Sequence, residues 1–464
     1  VNDEKEEKLF SAVTGIPDEL IEEAQTAKLK RAPRPWKVPA ALAACAVLIV
    51  GLMTFLPRSE SAVEGHSATN ALVGVIMPQA DAASYDSVDE TFLTAVNGFS
   101  YETASRLLAD SGGNANYSPI SLYYALALAA SGARGKTADE LLSLLGVSGQ
   151  SALSAQCGNL YRLLYKDTDY GKLQIGSSLW MASGIKWKDA FVKNAAENFY
   201  ASSYSVDFSD PETAEGMAAW IVSNTNGALN PQLEADPGMI LSILNTVYFK
   251  DQWIDGFDET ATAPGQFRLP DGSTADCDFM NQDTYSTGFT KGDGFTRATL
   301  GLKNGESMIF ILPDEGVTPR ELLSGPEKVQ AMFAAGDTDD GQVTWRIPKF
   351  SFHSELDDLA DTLKNLGLRS AFEPDANFSG ITDSPAFISR IRQETQIGID
   401  EKGVEASAYT QIYYVTGAIQ ADHSAEMILD RPFIYGITMN YWITPTAMRN
   451  VLLFAGICEN PVEG

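Results

Sequence analysis

The stretch DEKGVEASAYTQIYYVTGAIQADH, residues 400–423, constrains the fold of this chain more than any other. It follows directly on a strand-like run, RIRQETQIGI at 390–399. Gly403 permits a hinge. Beyond it, Val404, Ala406, Ala408, Thr410, Ile412 and Tyr414 are small or apolar. The intervening Glu405, Ser407, Tyr409, Gln411 and Tyr413 are more polar. That period of two belongs to a strand with one buried face. Yet the segment leads into a polar stretch and sits in what otherwise reads as a long connection. Two readings fit: a plain amphipathic edge strand, and a loop able to become a strand. Periodicity alone favours the edge strand, because such alternation is common in half-buried strands.

Elsewhere the patterns are mixed. Helical periodicity appears at 91–109, 119–131, 138–145, 187–200, 211–224 and 355–366. Ser118 followed by Pro119 reads as a helix start, and Thr137 with Glu140 fits a capping box. Strand-type runs occupy 173–182, 239–249, 306–312, 343–353, 432–440 and 451–459. Strands mixed with segregated helices, without strict βαβ alternation, argue for an α+β fold. At 464 residues a large core is available, and length alone suggests two to three domains.

The N-terminal part has a different character. Residues 38–56, VPAALAACAVLIVGLMTFL, carry no charge over 19 positions. A helix of that length spans about 28 Å, close to bilayer thickness. Lys28, Lys30, Arg31, Arg34 and Lys37 precede the run, and Arg58 is the only nearby base after it. The expectation is a cytoplasmic tail at 1–37, a single-pass transmembrane helix at 38–56, a Ser/Ala/Gly-rich tether at 57–90 and an extracellular domain at 91–464. The alternatives are a cleaved signal, giving a secreted protein, and a buried core helix. Cys45, Cys157, Cys277 and Cys458 are widely spaced and read as free thiols.

Composition excludes several functions. Residues 1–37 carry seven basic and eight acidic groups, so nearly all of the net charge of −28 falls after them. Such a surface repels polyanions, and no nucleic-acid partner is expected. The three histidines, His66, His353 and His423, fall in the tether, after a strand and in a polar loop. No nucleophile, base and acid are brought together by spacing, and no GxSxG, HExxH, Walker loop or GxGxxG is present. No catalytic residue, metal site or cofactor is expected.

Five stretches carry a resemblance to a known family. They are NYSPISLYYALALAASGARGKTADELLSLLGV (116–147), LNTVYFKDQW (244–253), IPKFSFHSELDDLADTLKNLGLRSAF (347–372), DEKGVEASAYT (400–410), and LDRPFIYGI (429–437) with VLLFAGICENP (451–461). In this order they resemble the serpins over about 91–462.

The resemblance implies one domain of three β-sheets with surrounding helices and an exposed reactive-centre loop. It implies a protease inhibitor rather than an enzyme, acting as a monomer on an extracellular serine protease, and possible action on a cysteine protease. The cleaved loop would insert into the main sheet and trap the acyl-enzyme. Glu401, Gly403, Val404, Glu405, Ala406, Ser407, Ala408 and Thr410 match the hinge. During insertion Val404, Ala406, Ala408 and Thr410 would become buried, and none is charged. Tyr409 departs from the family's small residues but falls on the outward phase. The family spacing places the reactive bond at Gly417 and Ala418, which suits an elastase-like or subtilisin-like target. A bond after Tyr413 or Tyr414 would suit a chymotrypsin-like one. Ser118, Ser121 and Asn245 match the region where the sheet parts, Gln393 stands where the family usually has histidine, and Trp253 matches the point where the loop enters. The alternative is a non-inhibitory serpin serving as an extracellular binding module or protease sensor.

Overall fold

The computed structural model describes residues 70–73, 88–234, 236–336, 339–356, 359–404, 424–444 and 447–463. The chain divides into two units, residues 1–65 and 66–464. Every described residue lies in the second.

The main sheet has the order β1 (Asn70–Val73), β5 (Ala201–Val206), β4 (Lys172–Ala182), β6 (Leu241–Gln252), β14 (Gly403–Val404), β13 (Gln393–Asp400) and β12 (Phe350–Leu356), with β3 (Lys166–Asp167) pairing onto β4. Strand β1, which falls within 57–90, pairs antiparallel with β5 in the register Asn70↔Ser205.

A second ladder contains the other two sheets. One is formed by β7 (Ala263–Arg268), β8 (Thr274–Gly292), β11 (Asp339–Pro348) and β15 (Ser424–Ile428). The other is formed by β9 (Phe295–Gly301), β10 (Glu306–Pro313), β16 (Phe433–Thr444), β17 (Ala447–Cys458) and β2 (Ala115–Tyr117). They join where the far end of β8, residues 289–292, pairs with β9. The α+β expectation with three sheets therefore holds.

Nine α-helices are described: α1 (Glu90–Ala109), α2 (Pro119–Gly132), α3 (Gly135–Leu144), α4 (Gln150–Leu164), α5 (Asp189–Phe199), α6 (Pro211–Asn224), α7 (Pro319–Leu322), α8 (Pro326–Phe333) and α9 (Ala360–Asn365). Helix α2 matters most for the site. Its sequence PISLYYALALAASG is apolar on nearly every face, so it has no solvated side and is buried almost throughout, against β6 and β17. Pro119 opens it, and the Ser118 hydroxyl accepts from the Ser121 N–H.

One continuous apolar run in the sequence becomes two strands. The run at 343–353 splits at Lys349: β11 pairs with β8, and β12 crosses to β13 in the main sheet. The Lys349 N–H donates to the Asp278 carbonyl at the step.

The membrane placement expected from the sequence needs correction. Among the described residues no helix is long and apolar enough to cross a membrane. The expected single-pass span at 38–56, with the membrane as partner, is not supported, and that segment lies outside the described residues. Apolar length and a basic flank are necessary for a span but do not by themselves make one. Cys157, Cys277 and Cys458 are free thiols.

Candidate functional site

The site begins with the alternation along β13. Gln393, Thr395, Ile397 and Ile399 are buried, and the residues between them are less so. One edge of β13 pairs with β12 throughout. On the other edge only the upper end is paired, by β14: Ile399 faces Val404 and Asp400 faces Gly403. The turn between them is held by the Asp400 carboxylate, which accepts from the Lys402 N–H at 2.8 Å and the Gly403 N–H at 3.3 Å.

Strand β14 pairs equally with β6, Gly403 with Gln252 and Val404 with Asp251. The head of the hinge is thus already a strand between β6 and β13. A strand paired on both sides sets its neighbours about 9.5 Å apart, twice the usual spacing. Below Val404, among the described residues, β6 and β13 share no ladder. Between them is a narrow cleft, with Val247 and Phe249 on one wall, Thr395 and Ile397 on the other, and Ile437 and Phe454 also lining it. Val404 closes its upper end and is only 2% exposed. Glycine at 403 is a requirement of close approach: a Cβ there would lie 2.1 Å from the Asp251 carbonyl oxygen.

Three side chains anchor this head. The Trp253 N–H donates to the Lys402 carbonyl at 3.0 Å and its indole N–H to the Asp400 carbonyl at 2.9 Å. Its ring meets Phe257 edge-on at 6.2 Å. Glu401 is paired with Lys349 at 3.0 Å and accepts from the Thr262 hydroxyl at 2.8 Å. Burial acts to raise the Glu401 carboxyl, but the hydrogen bonds from Lys349 and Thr262 outweigh it and hold the group below the usual carboxylate range. The same bond raises Lys349.

At the lower end, the Gln393 amide bonds Ser118 in both directions. Its Oε1 accepts from the Ser118 N–H at 2.8 Å, and its Nε2 donates to the Ser118 carbonyl at 2.9 Å. The Ser118 hydroxyl donates to the Leu453 carbonyl at 2.9 Å. Ser118, Ser121 and Gln393 therefore converge. Asn245 turns the other way and donates to Ser177 on β4 at 3.0 Å. Replacing Gln393 with Ala strands the buried Ser118 N–H, at about 1–3 kcal/mol, while the Ser118 carbonyl keeps the Leu122 N–H at 3.4 Å. The expected result is a loss of roughly 1–3 kcal/mol in urea unfolding. An unchanged midpoint would mean that Ser118 finds other partners.

Lys349, Thr262, Asp400 and Thr395 belong to the site although the sequence did not single them out. Their partners are far away in the chain, and one sequence holds no signal for such pairings. Glu405, Ala406, Ser407, Ala408 and Thr410 of the expected hinge, and Gly417 and Ala418 of the expected reactive bond, lie outside the described residues.

Among the described residues β6 and β13 share no ladder below Val404, and the head of a long connection is docked between them. The family model for "Serpin (serine protease inhibitor)" matches residues 94–461. The chain belongs to the serpin family, whose members are protease inhibitors rather than enzymes. It is 30% identical over 374 residues to Serpin-ZXA of Oryza sativa subsp. japonica, covering 76% of this chain and 91% of that one. The native state of tengpin, a thermophilic serpin, aligns at TM-score 0.71 and 25% identity, over 82% of this chain and 96% of that one. Human thyroxine-binding globulin in complex with thyroxine shares the fold at TM-score 0.66 and 23% identity, over 80% and 99%.

Proposed function

We propose that this serpin is a suicide-type inhibitor of serine proteases. A protease attacks the reactive loop and forms an acyl-enzyme. The freed loop then inserts into the main sheet and carries the protease with it before deacylation. The observation that carries this reading is the position of Gly403 and Val404, paired to both β6 and β13 at the head of a cleft where, among the described residues, β6 and β13 share no ladder. A chain continuing from Val404 in the same direction would run between β6 and β13, along the apolar wall of Val247, Phe249 and Ile397. Strand addition of this kind gains a full ladder of hydrogen bonds on both sides.

Ala406, Ala408 and Thr410 share the parity of Val404, so insertion would bury no charge. A reactive bond at Gly417 and Ala418 suits a protease with a small primary pocket, elastase-like or subtilisin-like.

The test is incubation of the full chain with a subtilisin-like protease. The expected result is an SDS-stable adduct and a released fragment whose mass begins at Ala418. Cleavage at that bond without an adduct would reject inhibition and favour a binding module, the second family role the fold accommodates. A fragment beginning after Tyr413 or Tyr414 would move the target to a chymotrypsin-like protease.

A further inference from the structure

The residues of β6 that receive the hinge also belong to a buried acidic contact. Asp251, opposite Val404, is 1% exposed, and Glu306, the first residue of β10, is 2% exposed. Asp251 is well supplied with donors: the Gln252 N–H at 2.8 Å, the Asn304 N–H at 3.0 Å and the Asn304 side-chain amide at 3.2 Å. Glu306 receives no donor from another residue: both of its buried carboxyl oxygens are left without a hydrogen-bond partner, and beside its own backbone N–H the group it interacts with side chain to side chain is the Asp251 carboxyl. Two carboxylates are both acceptors, so this contact is a hydrogen bond only when a proton lies between them.

The contact sits where the chain between β9 and β10 clasps the end of β6. The Lys303 N–H donates to the Gln252 carbonyl at 3.0 Å, the Ile254 N–H donates to the Gly301 carbonyl at 3.0 Å, and Trp253 bridges to Leu302. The charged groups facing the pair are Lys303, beside Asp251, and Lys166 on β3, beside Glu306. The Lys303 ammonium is bonded to the Gln252 side chain at 2.9 Å.

We propose that Asp251 and Glu306 are a proton-sharing carboxyl pair that positions the head of the insertion cleft. With one proton between them, residues 302–306 hold Asp251 and Gln252 in the register that receives Val404 and Gly403. Without it, two buried like charges in contact push the clasp away from β6, and the hinge undocks. The consequence for inhibition rests on the function proposed above; the docking itself does not.

Burial, with the Asp251 charge acting the same way, pushes the Glu306 carboxyl up to about 7 from its ordinary 4.5. Burial likewise raises Asp251. A folded-state pKa above the unfolded one contributes stability that is complete below about pH 4.5 and lost as pH rises through about 7.

The test is amide hydrogen exchange of the full chain between pH 5.5 and 8.5, corrected for intrinsic rates, read on a peptide that includes Gly403 and Val404. Wild type is expected to lose protection there about tenfold or more across that range. Glu306→Gln, which keeps the shape but cannot ionise, is expected to hold its low-pH protection throughout. Glu306→Leu repeats the test should the amide variant fail to fold. The same pH dependence in wild type and variant, or none in wild type, would overturn the proposal. No adduct is needed for this readout. A chain that fails to inhibit yet loses protection with pH therefore rejects only the inhibitory reading, and flat protection beside a stable adduct rejects only the pair.

Discussion

On the proposed function, Val404→Asp is expected to turn an inhibitor into a substrate. The variant should be cut at the same bond as wild type but form no SDS-stable adduct. The number of inhibitor molecules consumed per protease trapped should rise about a hundredfold. Val404 is buried between β6 and β13, opposite Ile399, and closes the upper end of an apolar cleft. A carboxylate there would enter an apolar cleft beside the acidic Asp251 and Glu401, with Lys349 committed to Glu401 and Lys303 bonded to the Gln252 side chain. Burying an unpaired polar or charged group costs several kcal/mol. A carboxylate at 404 should first undock the hinge from β6 and β13, and insertion, which races deacylation in the proposed mechanism, must then bury it. About 3 kcal/mol on that step is roughly a hundredfold. Val404→Ala, which buries no charge, is the control and should still form adduct. Titration of residual protease activity against molar ratio measures both. A wild-type ratio for Val404→Asp would mean that the carboxylate is held equally well before and after insertion, so that its cost cancels from the step.

Much of this was legible in the sequence, and the limits have physical causes. The helix expected at 91–109 is α1, and the strand expected at 173–182 is β4. Both carry long, regular apolar periods that tertiary contacts have no reason to override. Helix α4 was missed although Leu153, Cys157, Leu160, Tyr161 and Leu164 line one buried face, because Gly149 and Gly158 with several Ser and Gln weaken its local signal. Strand β8 was missed because its 19 residues read as polar and turn-like. The run at 343–353 is apolar on both sides of Lys349, and nothing local says that it changes sheets there.

The site divides in the same way. Gly403 and Val404 could be singled out because the alternation that begins at the hinge is a local property of the chain. Gln393 and Ser118 are separated by 275 residues, and their mutual bonds exist only in the fold. Spacing could nominate both but could not join them. Asn245 marks the limit of family spacing: its position matches, yet its amide faces Ser177 rather than Gln393. The Asp251 and Glu306 contact had no local signature, because each is an ordinary acid among 61.

Trp253→Ala is expected to produce the largest loss of stability of any single change at the site. The side chain is 2% exposed, and its indole N–H satisfies the Asp400 carbonyl. Truncating a fully buried tryptophan costs about 3–5 kcal/mol through lost burial and the cavity left behind. The orphaned Asp400 carbonyl adds about 1–3 kcal/mol if water cannot reach it. Trp253→Phe separates the two contributions: it keeps most of the ring against Phe257 and removes only the donor, so its loss should be near 1 kcal/mol. Urea unfolding of the three proteins under one set of conditions makes the comparison. Equal losses for the two variants would place the whole effect in the bond to Asp400 and none in packing. The position of the residue adds a second consequence. The indole holds the Asp400 carbonyl at the start of the turn, so its removal loosens the turn at 400–403 as well as the core, although the backbone N–H of residue 253 keeps its bond to Lys402. Trp253→Ala should therefore expose the hinge to limited proteolysis at temperatures where Gln393→Ala, which acts at the opposite end of β13, still resists it. Equal resistance in both would mean that the hinge is held by its strand pairing to β6 and β13 alone.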